Sequence, residues 1–318
     1  MNDSELRASA PPTTWDNSMR CMFKACPRRF YYWLRGFTYD PARVPTFFTW
    51  GRAFHQGLSS WYTYGDTLPG TEAHQVRVLT AIDAAVRKWR DEGGIDNKLD
   101  SEENLRTKLL NYFLLFPREP WHFVPGGAEA GWQWPLPGTS YMLGGAIDGY
   151  AEWPGYGLFF VEHKSTSAYL SDNYVKQWYF SSQIIQYSWY LRQLHTEEEV
   201  YGGLLNLVTK NIKSPRSKWT TNEYERILVK KTALELAEFE EDFRQDLQTF
   251  ERCWTNWYWP MSATTSPIEC TGGIGKSRCL FVDVCLSRVP FAQAQPSIFD
   301  GIVESNERWE PWNRTEES

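Results

Sequence analysis

The segment LFFVEHKSTS (158–167) sets Glu162 and Lys164 directly behind a run of Leu, Phe, Phe and Val. Upstream, GGAID (144–148) ends on Asp148, and the two pieces are joined through WPGYG (153–157), whose Pro and Gly are the residues of a tight turn. With Gly155 as the turn centre, Asp148 and Glu162 each stand seven residues from it. An antiparallel hairpin then places them opposite one another on one sheet face. Strand side chains alternate, which puts Lys164 on that same face. A slip of one residue would send Asp148 to the other side. Two carboxylates this close raise each other's pKa unless a cation lies between them. Mg²⁺ or Mn²⁺ takes oxygen ligands, holds a phosphate oxygen and acidifies a bound water, while a lysine orients that water or stabilises charge on the phosphorus. The chemistry this pattern supports is phosphodiester hydrolysis. A surface salt bridge is the plain alternative, since the same spacing recurs in the polar loop at Asp96-Asn97-Lys98.

These residues form part of an ordered set: CPRRFYY (26–32), GRAFH (51–55), GGAID, EHK (162–164), QIIQY (183–187) and three late cysteines. In that order they resemble the PD-(D/E)XK nucleases, and within them the RecB-like exonucleases, including the iron-sulfur exonucleases of CRISPR adaptation and of bacterial or phage recombination. The resemblance runs from about Cys26 to Cys285. It implies that His55, Asp148 and Glu162 bind the metal together with the backbone carbonyl of His163, and that Lys164 is the catalytic lysine. It also implies that Gln183 and Tyr187 sit on a helix that borders the active site and touches DNA. Residues four apart share a helix face, so that pair can point at one groove, although Gln186 and Tyr190 have the same spacing and Tyr187 reads equally well as a half-buried core residue. A lone histidine in an aromatic helix, as His55 is, commonly plays a structural part. Glu129 is a supporting carboxylate or a surface charge.

Six cysteines stand at 21, 26, 253, 270, 279 and 285. With no secretory segment in view, a disulfide framework is not expected, and clustered thiols point to metal. Cys270, Cys279 and Cys285 lie in IECTGGIGKSRCLFVDVC, and three thiolates need a fourth ligand. The resemblance implies Cys26 and a [4Fe-4S] cluster; a four-cysteine site would also suit Zn²⁺, and four free buried cysteines are the alternative. Eight residues intervene between Cys270 and Cys279, where such relatives often have two. Cys21 competes with Cys26, and Cys21 and Cys253 otherwise read as spare core thiols.

The 318 residues are 42% hydrophobic, enough for a sizeable core, and no apolar run reaches membrane-spanning length. A soluble, cytoplasmic protein of a bacterial or phage-infected cell is expected, without a membrane partner. A net charge of −6 excludes coating of nucleic acid by bulk electrostatics but leaves room for local patches. Residues 209–231 hold seven Lys or Arg against two Glu, with Trp219 and Tyr224 for stacking, and Arg28, Arg29 and Arg35 form a second basic patch. No Walker loop or GxGxxG occurs, so neither a helicase motor nor nucleotide-linked electron transfer is expected.

Periodicity predicts helices near 21–37, 51–65, 74–90 (Leu79, Ile82, Val86 and Trp89 inward), 101–116, 173–195 and 232–256. Strands are expected at 128–134, 141–153, 158–164 and 201–208, the first three as a meander. The expected fold is α/β with a restriction-endonuclease-like core, a mixed central sheet flanked by helices, organised as one compact domain. Its parts would be a flexible start (1–20), a helical N-terminal part (21–125), the nuclease core (126–260), a cysteine segment (261–290) and a polar acidic tail (291–318) with little order beyond about residue 300. The expected function is metal-dependent hydrolysis of DNA, as an exonuclease on ends or single strands in recombination, repair or phage DNA processing, with a helicase, integrase or recombinase as partner. A non-catalytic DNA-binding or assembly subunit of the same fold and a structure-specific endonuclease are the alternatives.

Overall fold

The computed structural model describes residues 1–197, 199–212, 222–262, 268–272, 278–307 and 309–313. In chain order its first half comprises α1 (Asp3–Ala8), β1 (Thr14–Trp15), α2 (Asn17–Ala25), α3 (Pro27–Leu34), β2 (Phe37–Tyr39), α4 (Thr46–Thr63), α5 (Glu72–Asp91) and α6 (Glu102–Leu115). There follow β3 (His122–Pro135), β4 (Met142–Trp153), β5 (Gly157–Thr166), α7 (Asp172–Lys176), α8 (Ser182–Leu194), β6 (Val200–Thr209), β7 (Tyr224–Val229) and α9 (Ala233–Asn256). The last elements are α10 (Ile268–Thr271), α11 (Val282–Leu286) and β8 (Ile302–Glu304). The class is the expected one, a mixed sheet with helices against it. Among the described residues, no helix is long and apolar enough to cross a membrane.

The chain divides into two compact units, each assembled from separate stretches. The first takes Met1–Val44, Gln133–Gly145 and Ala237–Pro311. Its aromatic core joins Trp15 to Phe30 and Phe250 at centroid distances of 5.1 and 4.8 Å. α9 supplies Phe239, Phe243, Leu247 and Phe250 to the buried set, on the face its periodicity predicts. The helix expected over 21–37 is broken at Cys26, which caps α2 and precedes Pro27, a residue suited to the first turn of α3. The chain beyond residue 300 is more ordered than expected, because β8 pairs antiparallel with β2, Thr38 opposite Val303. Three-residue strands carry no readable alternation, which is why both escape the sequence pattern.

The second unit is built chiefly from Pro45–Trp132 and Ala146–Leu236. Its strands run in the order β4-β5-β6-β7, with β3 also on β4; β5 and β6 are parallel, and the β4–β5 and β6–β7 pairs antiparallel. α4, α5 and α6 bury Trp50, Phe54, Trp61, Val86, Trp89 and Leu109 in one cluster with Phe159, Val161 and Leu204 of the sheet. At about 1.5–3 kcal/mol per fully buried large side chain, this cluster is a main source of the unit's stability. Gly57 lets the three helices close up, since a Cβ there would meet Leu109 Cδ1 at 2.8 Å. Leu79, expected inside, is instead 61% exposed, and the inward stripe of α5 runs through Ile82, Ala85, Val86 and Trp89.

One largely buried ion pair locks β7 to this core. The Arg226 guanidinium donates to both Glu119 oxygens, at 2.8 and 2.6 Å, and to Tyr112 Oη at 2.7 Å, and it lies 3.4 Å from the Phe116 ring centroid. Glu119→Ala would strand a mostly buried cation, so the unfolding free energy is expected to fall by about 3–5 kcal/mol. Urea denaturation of the variant tests this, and a loss below about 1 kcal/mol would refute it.

Candidate active site

The hairpin forms with the predicted register. Pro154 and Gly155 occupy the two central turn positions, Gly155 has φ +84°, and Tyr156 donates its amide to the Trp153 carbonyl at 2.9 Å. That arrangement suits a turn that needs a positive φ at its third residue. The ladder pairs Trp153 with Gly157 and continues to Gly149 with Val161, so every pair is symmetric about Gly155. Phe159, Phe160 and Val161 are fully buried and carry Glu162 and His163 inside with them, at 1% and 2% exposure.

Asp148 is held from two sides. One carboxylate oxygen lies 3.2 Å from His55 Nδ1, and the other accepts the His163 amide at 2.7 Å. His55 comes from α4, whose buried aromatic face fixes the helix against the core. His55, Glu129 and Asp148 each offer a donor atom within 4.8 Å of the other two, a group that could hold a metal ion. Glu129 sits mid-strand in β3 with φ +48°, a left-handed conformation that a non-glycine residue adopts at a cost. Of the sequence candidates for metal ligands, His55 and Asp148 thus meet directly, and the carboxylate that joins them in this tight group is Glu129.

Glu162 faces the lysine. Its Oε1 accepts from Lys164 Nζ and, at 3.0 Å, from Gln183 Nε2, while its Oε2 is buried with no hydrogen-bond partner among the described residues. Gln183 also donates to Tyr187 Oη at 2.9 Å, and Tyr187 donates onward to the Ala146 carbonyl at 2.5 Å. The rival pair points elsewhere: Gln186 is fully buried, and Tyr190 stacks on Trp132 at 4.1 Å.

The charges are mutually arranged. Burial works against the His55 imidazolium, yet Asp148 outweighs it and lifts its pKa to about 9. Burial raises Asp148, but His55 pulls it well below the usual carboxylate range. Glu162 is pushed up to about 7 by burial and then by the Asp148 charge, against the pull of Lys164. Burial opposes charge on Lys164, and Glu162 with Asp148 more than compensates, so the ammonium persists. His163 falls to about 3, chiefly through burial, and is neutral.

Two supports escape the sequence reading. Asn206, opposite His163 in the parallel β5–β6 ladder, places Nδ2 3.0 Å from His163 Nδ1, and the Tyr62 ring stacks on the imidazole with an 8° interplanar angle. The readable signal for the first is a lone Asn inside the apolar run YGGLLNLV. Both orient the residue whose amide holds Asp148.

The basic stretch after β6 is largely turned inward where it is described. Lys210 is buried on Asp100, and Arg226 is half-buried on Glu119, so both are already paired. Tyr224 is half-buried and donates to the Lys108 carbonyl at 2.9 Å. Trp219, with Lys213, Arg216 and Lys218, lies outside the described residues. Of the second patch, Arg35 is buried with a guanidinium bond to the Ala294 carbonyl, and Arg28 donates to the Trp259 carbonyl at 2.9 Å. Desolvation of a guanidinium is offset in each case by acceptors far away in sequence, which charge counting cannot foresee.

In the first unit, Cys26, Cys270, Cys279 and Cys285 lie close enough to influence one another. Burial pushes the Cys285 thiol up to about 12; Arg28 opposes this and the other three thiols add to it. Cys279 donates its amide to the Cys270 carbonyl at 2.9 Å. Cys21 is exposed and Cys253 is buried on α9, apart from this group.

A mixed sheet that holds a carboxylate–lysine pair opposite a histidine-bound aspartate defines a nuclease-type site. The family model described as the PD-(D/E)XK nuclease superfamily matches residues 22–286, and the chain belongs to that superfamily. Its members are nucleases that use divalent metals. Among curated proteins no match is found.

Proposed function

We propose that the protein is a Mg²⁺- or Mn²⁺-dependent deoxyribonuclease that acts as an exonuclease on DNA ends or single strands. The observation that carries this is the fully buried Glu162, bonded through one oxygen to Lys164 and Gln183, with its other oxygen left without a partner among the described residues. A buried carboxylate oxygen of that kind is costly unless something absent from the chain satisfies it. Oxygen and imidazole donors on His55, Glu129 and Asp148 fit a hard divalent cation. We assign His55, Asp148 and Glu162 as ligands with the His163 carbonyl, and Glu129 as a further carboxylate. The metal supplies a Lewis acid for the phosphate and a water of lowered pKa. Lys164 offers a fixed positive charge to the scissile phosphate, Gln183 holds Glu162, Tyr187 accepts from Gln183, and we assign the helix that carries both as the border of the DNA path.

The cysteines support a structural [4Fe-4S] cluster on Cys26, Cys270, Cys279 and Cys285. What supports this reading is that Cys26, Cys270 and Cys279 lie near enough to raise the pKa of the Cys285 thiol, and four cysteine thiolates are the ligand set of such a cluster as they are of zinc. Iron and sulfide analysis of anaerobically purified protein is expected to find both, with the absorbance lost in Cys279→Ser; zinc without sulfide would overturn the assignment.

The test of function is direct. End-labelled linear single- and double-stranded DNA should be degraded in Mg²⁺ or Mn²⁺ and spared in EDTA, with closed circular DNA resistant. Absence of any metal-dependent cleavage would refute the nuclease proposal, and cutting of closed circles would replace exonuclease by endonuclease.

A further inference from the structure

Beyond β5 the chain runs YVKQWYF (174–180), four aromatics in seven residues, through α7 and a 3₁₀ helix over Gln177–Phe180. Part of this run is anchored to the site. The Lys164 ammonium lies 5.8 Å from the Trp178 ring centroid, and Tyr174 packs edge-on to Trp178 at 6.3 Å. The Tyr179 carbonyl accepts from Lys231, which is itself paired with Glu235. Gln183, three residues beyond Phe180, is bonded to Glu162. Phe180 is therefore fixed on both sides by residues attached to the Glu162–Lys164 pair, and yet it is 88% exposed. Tyr179 beside it is 39% exposed, and Lys176, one helical turn earlier, is exposed as well.

We propose that Phe180, with Tyr179, is a base-stacking step that holds an unpaired nucleotide next to the Glu162–Lys164 pair, so that the preferred DNA carries unpaired bases at the point of cleavage. This rests on the nuclease proposal above. Stacking on an aromatic ring is open to any base, because each has a π-face, whereas bases inside a duplex already have both faces covered. A ring three residues from Gln183, which is bonded to Glu162, and two from Trp178, whose ring Lys164 faces, is placed to take a base whose phosphate lies over those groups. Lys176 adds positive charge on the same segment for the backbone. The occupant favoured by this combination of aromatic exposure, positive charge and continuity with the site is single-stranded DNA or a frayed end.

The experiment uses the full chain in two measurements. In EDTA, where hydrolysis does not occur, binding of a single-stranded oligonucleotide containing 2-aminopurine is followed by fluorescence; in Mn²⁺, KM and kcat are measured on single-stranded and blunt duplex DNA. Phe180→Ala is expected to remove the stacking quench and raise the single-strand KM by about five- to a hundredfold, with a smaller effect on duplex, and Phe180→Tyr to restore both. Phe180→Ala behaving as wild type in both measurements, while wild type degrades DNA, overturns the stacking step and leaves the nuclease intact. A Phe180-dependent quench in a protein that hydrolyses no DNA would overturn the nuclease assignment and keep the stacking step.

Discussion

Lys164→Ala is expected to leave a folded protein whose DNA hydrolysis is reduced about a thousandfold or more. Lys164 is kept charged by Glu162 and Asp148 in spite of its burial, so it acts as a fixed cation and not as a base. Its hydrogen bond to Glu162 holds the ammonium on the face where the proposed reaction would place a phosphate. Charge placed in advance beside a developing oxyanion is worth far more in a dry site than in water, and a thousandfold loss corresponds to about 4 kcal/mol. The fold tolerates the change because Glu162 can protonate: its carboxyl already lies near 7 and loses its main stabilising cation with the lysine. Single-turnover hydrolysis with circular dichroism as a folding control tests the prediction, and a rate within tenfold of wild type would remove Lys164 from the catalytic role.

Affinity for Mn²⁺ is expected to rise about tenfold per pH unit from 7 to 9 and then level off. His55 in the metal-free protein keeps its proton up to about pH 9, and a histidine ligand must be neutral, so binding releases that proton. Below pH 7 the slope should steepen towards two protons, because Glu162 must also lose one. The stability of the metal-free site follows the same groups. The raised His55 pKa contributes stability that is complete below its unfolded value near 6.5 and is lost as pH rises through about 9. The depressed Asp148 pKa contributes above the unfolded value near 3.9 and is lost as pH falls through its lower folded one. Glu162 has the sign of His55: its raised pKa makes the folded state lose stability as pH rises from the unfolded value near 4.3 through about 7, a cost that a cation would offset. Calorimetric titration in buffers of different ionisation enthalpy counts the released protons, and a flat affinity between pH 7 and 9 would exclude His55 as a ligand.

The hairpin was legible in sequence because everything that specifies it is local. A Pro-Gly turn, an alternating pattern and symmetry about Gly155 suffice to bring Asp148 across to β5, and the ladder follows that symmetry. His55 was not legible in that way. It meets Asp148 from 93 positions away, and only the ordered motif set pointed to it. The basic stretch shows the opposite failure. Lys210 and Arg226 have the composition of a phosphate-binding patch, but Asp100 and Glu119, 110 and 107 positions away, draw them inward. Charge counts register the cation and not its distant partner. Glu129 lies between these cases, because its type was visible and its backbone conformation, which aims it at the His55–Asp148 pair, was not.

The interleaved first unit bears on how the protein is made. Trp15 packs between Phe30 and Phe250, so the N-terminal aromatics leave the ribosome long before the helix that completes their core. At about 5–20 residues per second, Trp15 and Phe30 wait roughly 10–50 s for Phe250. During synthesis the aromatic surface of the N-terminal stretch thus stays without its α9 partners until that helix has been made, and a chain released before then lacks the residues that complete this core.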